Sequence, residues 1–204
     1  GPGAPTVTDC EFVGGDSVVA FEIGHYFDFI GCTMRDQTGA QLNLLDAGQA
    51  VSAQIRLTDC ELRDARWAVR AETYHSFAQI RVTMTRCRLS GHHGAAINLR
   101  IGSYGDHLLE MADCLVANNA NGVLCHEASD GLTLKIERCT LVRNTQRGFF
   151  NGCHVNAGSV VHSSIFAGSL IPFSTSSSLA RPPVHHCLVQ NGSLPTGEGN
   201  LSGS

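Results

Sequence analysis

Apolar residues recur in a fixed relation to a small residue, mostly cysteine, at eight places along this chain of 204 residues. The eight anchor positions are Cys10, Cys32, Cys60, Cys87, Cys114, Cys139, Ser164 and Cys187. An apolar residue stands three positions before every anchor and two positions after it. Consecutive anchors are 22 to 28 residues apart, a spacing that indicates stacked structural repeats. The pattern therefore predicts a solenoid in which three columns of side chains point inward.

The spacing within each repeat favours short strands joined by bends. An anchor and the apolar residue two positions later share one face of a strand. The step of three residues before the anchor does not fit a single flat strand, so the chain should bend there. Four positions after the anchor, seven of the eight repeats carry Gly, Asp or Asn, which tolerate a left-handed backbone, and Arg143 is the exception. Each repeat therefore predicts one coil of a parallel β-helix.

The repeats resemble those of the right-handed parallel β-helix, or pectate-lyase-like, superfamily of bacterial type. The similarity is clearest in the segments MADCLVANNANGV (111–123) and IERCTLVRNTQRGF (136–149), and it covers nearly the whole chain. It implies an all-β fold, a right-handed parallel β-helix solenoid of about eight coils, as one domain over 1–204 with a C-terminal tail at 193–204. The opening Gly-Pro and the tail segment GEGNLSGS favour a domain excised from a larger protein. The superfamily includes lyases, hydrolases, epimerases and binding modules, so the resemblance does not specify an activity.

Composition limits the partners and the setting. With 43% hydrophobic residues the chain can bury a continuous core, and 14 Lys and Arg against 18 Asp and Glu give no general attraction to nucleic acid. No apolar run reaches the roughly 18 to 20 residues that span a bilayer. We expect no membrane insertion and no cofactor. Flanking domains of the parent chain, or a second copy, should cover the open ends of the β-helix, since neither end carries an evident cap.

Nine cysteines raise the question of disulfides or a metal cluster. Seven of them are anchors one coil apart, and none forms a CxxC pair. Stacked rungs lie about 4.8 Å apart, farther than the Cβ separation that suits a disulfide. The pattern therefore predicts a ladder of buried free thiols, which is compatible with the cytoplasm and does not exclude export, so the compartment stays open.

Charges alternate at the position just before four successive anchors. These residues are Asp59, Arg86, Asp113 and Arg138. Opposite charges side by side on neighbouring strands attract, whereas like charges repel. We interpret this second ladder as a device that fixes the register on a solvated face.

Polar residues on the strand after the turn form the main candidate site. Alignment of the repeats places eight of them near one another on successive coils: Glu22, Arg70, Glu72, Arg100, His126, Glu127, Asn151 and His154. Such a face is suited to bind a glycan or a protein, and it would also supply acid and base groups. The alternative is an ordinary solvated face. The preceding turn varies in length, and a slip of one residue would exchange inside and outside.

Two other clusters contain histidine. Glu137, His162 and His185 occupy one position on three consecutive coils, and two His with one carboxylate are a ligand set for a transition metal, which makes them weak candidates. The segment GHHG (91–94) follows an anchor, where we expect an exposed turn with two histidines.

The chemistry of the chain favours binding over catalysis. The sequence has no Asp-Asp pair and no Arg-x-Lys of the kind that β-helix hydrolases and lyases use. We expect a non-catalytic binding, sensing or scaffold module of a larger bacterial protein, which binds a glycan or a protein. The alternatives are a polysaccharide lyase or glycoside hydrolase fragment that acts on an acidic glycan, and a purely structural spacer.

Overall fold

The computed structural model describes residues 4–22, 26–45, 52–73, 79–102, 105–126, 131–176, 181–191 and 197–203. Within these ranges the chain forms 24 β-strands and no helix, and every strand pairs in parallel with its neighbours. The strands belong to three sheets, which we call A, B and C, and the chain visits them in that order on each coil from β1 to β21. The predicted all-β parallel solenoid is confirmed. Its handedness and its number of complete coils stay predictions.

The strands that precede the anchors form sheet A and those that follow the anchors form sheet B. Sheet A contains β1 (Thr6–Thr8), β4 (Tyr26–Ile30), β7 (Ser52–Thr58), β10 (Gln79–Thr85), β13 (His107–Ala112), β16 (Leu132–Glu137), β19 (Val160–His162) and β22 (Val184–His185). Sheet B contains β2 (Glu11–Val13), β5 (Thr33–Arg35), β8 (Glu61–Arg63), β11 (Arg88–Ser90), β14 (Leu115–Ala117), β17 (Thr140–Val142), β20 (Ile165–Ala167), β23 (Leu188–Gln190) and β24 (Leu201–Gly203).

Sheet C follows the turn after sheet B. It contains β3 (Val19–Glu22), β6 (Ala40–Leu45), β9 (Trp67–Thr73), β12 (Ala95–Ile101), β15 (Asn121–His126), β18 (Arg147–Asn151) and β21 (Ile171–Thr175). The inner faces of the three sheets enclose one continuous apolar core. Each rung therefore presents its outward side chains to solvent on three separate faces.

The three predicted inward columns lie in that core. Leu57, Met84 and Met111 pair across neighbouring strands of sheet A, and all three are fully buried. The columns are less buried at the first coil, where Cys10 is exposed and Phe12 is half-buried. Among the described strands, β1 and β2 each pair with only one neighbour, so fewer groups cover these residues.

The bend between sheets A and B occurs at a single residue. The position just before each anchor has a left-handed backbone, with φ between 49° and 63° in all eight repeats. The predicted bend is confirmed, and it falls on the same residues as the alternating charges. The position four residues after each anchor is also left-handed, with φ between 54° and 74°, as the Gly, Asp and Asn pattern predicts.

The charge ladder forms two bidentate ion pairs. The guanidinium of Arg86 donates to both oxygens of Asp59 at 2.7 Å, and that of Arg138 donates to Asp113 at 2.7 and 2.9 Å. These hydrogen bonds lower the pKa of both carboxyl groups. Each arginine has a left-handed backbone, which a Cβ disfavours, and its ion pair opposes that strain.

A buried polar ladder, which the sequence analysis did not identify, lies five residues after the anchors. Each member donates a side-chain hydrogen bond of 3.1 to 3.2 Å to a backbone carbonyl of the coil before it, at the residue two positions after that coil's anchor. The members are Gln37, His92, Asn119 and Asn144. His92 is only 1% exposed, so the expectation of an exposed histidine at that turn is wrong for this residue, while His93 is exposed. The ladder satisfies backbone groups that face the core at the turn.

Residues 197–203 cover the last coil. Strand β24 pairs with β23, and the side chain of Asn200 takes the place of the next anchor. Asn200 Oδ1 accepts the Cys187 N–H at 3.0 Å, and Asn200 Nδ2 donates to the Val184 carbonyl at 2.8 Å. This part of the predicted tail therefore extends the stack by one strand of sheet B.

Candidate functional site

The register of sheet C aligns four of the predicted site residues on its outer face. Glu72, Arg100 and His126 are direct partners on β9, β12 and β15, and Arg70 lies two residues before Glu72 on the same face. We call Arg70, Glu72, Arg100 and His126 the sheet C strip. The backbone register also places Glu22 in the column of Glu72, two strands away, but its side chain lies outside the described part of the structure.

Two other predicted residues are not part of this strip. Asn151 pairs with Cys125 in the inward column and is 1% exposed. Its amide donates to the Cys153 carbonyl at 2.9 Å and accepts the Cys153 N–H at 3.1 Å, so its role is structural. His154 follows the end of β18 and is half-buried, and Glu127 lies outside the described residues.

A bidentate ion pair fixes one end of the strip. Arg70 Nε donates to Glu72 Oε1 at 2.9 Å, and Arg70 Nη2 donates to Glu72 Oε2 at 2.8 Å. The two side chains are 29% and 13% exposed, which shields the pair from water more than the pairs of the charge ladder. Because one guanidinium binds both oxygens, the carboxylate is held in a fixed orientation.

Arginine side chains cover the aromatic rings beside the strip. The guanidinium carbons of Arg66 and Arg70 lie 4.1 and 4.9 Å from the centroid of the Trp67 ring. Phe150 is similarly flanked by Arg147 at 4.8 Å and by the His126 ring at 5.4 Å. The surface therefore presents cationic and imidazole groups stacked on rings rather than bare rings. Sequence reasoning missed Arg66, Arg147 and Phe150. In the pair 149–150, strand alternation alone would have indicated one outward ring.

The weak metal candidates align but do not converge. Glu137, His162 and His185 are partners across β16, β19 and β22, as the repeat spacing predicts. Two of the three side chains contact their chain neighbours rather than one another. His162 Nδ1 lies 2.7 Å from Ser163 Oγ, and Glu137 Oε2 lies 3.3 Å from Arg138 Nη1. Among the described residues, no group of three His, Cys, Asp or Glu side chains is arranged to hold a metal ion.

The cysteines are suited to packing rather than to chemistry. All nine are free thiols, and every one except Cys10 is buried. Hydrogen bonds between successive cysteines, together with burial, raise the pKa of Cys87 and Cys114 to about 12, and burial raises the pKa of Cys125 well above its ordinary value. Cys125 points into the core whereas the adjacent His126 contacts Phe150 on the outer face, so the two do not form a nucleophile pair.

The described residues contain no helix long and apolar enough to span a membrane. Comparison of the chain with protein-family models, curated proteins and solved structures finds no match.

Proposed function

We propose that this solenoid is a non-catalytic binding module whose ligand lies on the outer face of sheet C. The observation that carries the proposal is the register that aligns Glu72, Arg100 and His126 one rung apart. Rungs about 4.8 Å apart present these groups as a regular row, which suits an extended ligand with repeating polar groups. The row is held by the sheet itself, so little ordering is needed on binding.

Binding is favoured over catalysis because of how the strip uses its carboxylate. Hydrolysis of a glycosidic bond needs two carboxyl groups that flank the bond, and one of them must carry a proton. Among the side chains of the strip that the structure describes, Glu72 is the one carboxylate, and Arg70 binds both of its oxygens. The described strip therefore lacks a second carboxyl group, and both oxygens of the first are already engaged.

The ligand that fits this face carries negative charge. Three arginines (Arg70, Arg100 and Arg147) lie on the strands of sheet C, against Glu72 as the one carboxylate on those strands whose side chain the structure describes. Arginine binds carboxylate and sulfate groups in fork geometry. We therefore infer an acidic glycan as the ligand. An acidic protein surface is the other class that the assay below separates.

We further propose that the chain is a right-handed member of the pectate-lyase-like superfamily, of bacterial origin. The support is the repeat pattern, in which a small anchor, flanking apolar residues and a left-handed turn recur eight times. The same fold carries binding modules as well as enzymes, which is consistent with the absence of activity that we expect.

Isothermal titration with oligogalacturonate and oligoalginate tests the binding proposal. Replacing Arg70, Arg100 and His126 together by Ala should weaken binding at least about tenfold, because each lost charge-assisted contact contributes 1 kcal/mol or more. The matched control replaces Arg56, Arg81 and His185 by Ala; it removes the same residue types from the outer face of sheet A.

Three results would contradict the proposal. The first is equal binding by the triple variant and the parent protein. The second is binding of an acidic protein but of neither glycan, which would assign the face to protein recognition. The third is release of unsaturated or reducing sugars that a substitution at Glu72 or His126 abolishes, which would establish the enzyme alternative.

A further inference from the structure

The outer face of sheet B contains a hollow of about 610 Å³, separate from the sheet C strip. It forms where side-chain size changes along one outward column. Arg63, Ser90, Ala117 and Val142 are partners on β8, β11, β14 and β17, so two small residues lie between two larger ones. A volume of this size lies within the range of small-molecule sites in proteins.

Two arginines at the border of the hollow have no side-chain hydrogen bond or ion pair with any described residue. Arg88 lies on β11, and Arg143 lies at the turn after β17; both are exposed. They contrast with Arg86 and Arg138, each of which binds a carboxylate with two of its three donor nitrogens. The donors of Arg88 and Arg143 are therefore available to a ligand.

The backbone at Arg143 gives a second, independent observation. At the same position of the other seven repeats stands Gly, Asp or Asn, and all eight positions have a left-handed backbone. A long side chain is disfavoured there, and in Arg86 and Arg138 an ion pair opposes the cost. Arg143 has no such partner among the described residues. The left-handed backbone is set by the repeat in every coil, so the turn does not require the long side chain of Arg143, whose guanidinium borders the hollow.

The rest of the lining limits the charge and the shape of the ligand. The hollow is lined by three arginines and by two carboxylates, those of Glu61 and Asp64, which gives a net charge of +1. A single negative charge balances that value, while a dianion leaves one negative charge uncompensated. Leu115, Ala117 and Val142 provide an apolar floor, which gains from contact with a hydrocarbon surface.

We propose that this hollow binds an amphipathic monocarboxylate, a molecule with one carboxylate on an apolar body. The carboxylate binds the guanidinium group of Arg143, with Ser90 and Asn118 as neighbouring hydrogen-bond donors, and Arg88 adds positive charge at the opposite corner, two strands and three residues away. The apolar body lies over Leu115 and Ala117. The inference does not rest on the function proposed for sheet C, because the two faces share no residue.

The test uses 4-phenylbutyrate as the probe, titrated into isotopically labelled protein and followed by amide NMR. We expect shifts at residues 88–90, 115–118 and 141–143. The neutral amide of the probe, inorganic phosphate and galacturonate should each bind at least about tenfold more weakly than the probe. The amide lacks the negative charge, and phosphate and galacturonate lack the apolar body. The double variant Arg88→Ala with Arg143→Ala should lose at least about tenfold in affinity for the probe.

Two further variants make the test specific. Replacing Arg56 and Arg81 by Ala on sheet A removes the same charge elsewhere and should change the affinity by less than about twofold. Ser90→Tyr should fill the hollow and abolish binding while it leaves every charge in place. The proposal is overturned if the probe causes no shifts up to its solubility limit, or if the shifts lie elsewhere. It is also overturned if phosphate, galacturonate or the amide binds as tightly as the probe, or if the double variant binds the probe with the affinity of the parent protein.

Discussion

His92 should make the stability of this solenoid depend on pH between about 4 and 6.5. The imidazole is 1% exposed within the buried polar ladder. Its Nε2–H donates to the Leu62 carbonyl at 3.1 Å, and Nδ1 has no hydrogen-bond partner among the described residues. A second proton would have to enter at Nδ1, which is buried. Burial lowers the pKa of His92 from 6.5 to about 4, while the backbone groups of Leu62 and Ala65 and the charge of Asp64 oppose the shift and His93 adds to it.

The magnitude follows from this difference in pKa. In the unfolded chain His92 titrates near 6.5, whereas in the folded protein it titrates near 4. Between these values the unfolded state binds a proton that the folded state does not, so the free energy of unfolding falls as the pH falls. At about 1.36 kcal/mol per pH unit, the loss reaches about 3 kcal/mol at pH 4. Above 6.5 the contribution is fully present, and below 4 it changes no further.

Replacing His92 with Asn isolates this contribution. Asn occupies the same ladder position in Asn119 and Asn144, whose side chains donate to the equivalent carbonyl, so the variant should fold. Urea unfolding at pH 7 and pH 4.5 should show the parent protein losing about 2 to 3 kcal/mol more than the variant. His93→Asn, at the exposed neighbour, serves as the control and should behave like the parent. Equal pH dependence in the parent and in His92→Asn would refute the argument.

Two other predictions test the core and the thiols. Leu141 is fully buried, so Leu141→Asp should lower the free energy of unfolding by at least about 4 kcal/mol in urea titration. The control Leu170→Asp changes a side chain that is 80% exposed and should have little effect. Overlapping unfolding curves for Leu141→Asp and the parent would show that the inward column is assigned wrongly. Mass spectrometry after alkylation should find Cys10 modified under native conditions and the other eight cysteines modified only after denaturation. Rapid modification of Cys87 or Cys114 in the native protein would contradict the packed ladder.

The sequence predicted the columns of sheets A and B because the steps around the anchor are constant. The positions three before and two after the anchor are apolar in every repeat. Met84, Leu89 and their equivalents therefore fall on the inner face of every described coil after the first. The two left-handed positions follow from the same constancy. The partners Glu137, His162 and His185 were aligned correctly for this reason, even though their side chains do not converge.

Prediction was weaker in sheet C because the turn before it varies by one residue. Sheet C begins seven residues after the anchor at Trp67 and Asn121, but eight residues after it at Ala95 and Arg147. In a strand, one residue exchanges the two faces. This slip places Asn151 in the core, although its distance from the anchor equals that of the outward Glu72.

The sequence by itself determined the repeat, the inward columns and the positions of the turns, since these depend on local patterns that recur at fixed spacing. Only the tertiary structure decided which polar groups meet. The stacking of coils buries His92 in the polar ladder, pairs Arg70 with Glu72, and leaves Arg88 and Arg143 beside a hollow. These outcomes depend on side-chain size and charge at neighbouring rungs about 25 residues apart, and no local pattern specifies which neighbours a side chain will contact.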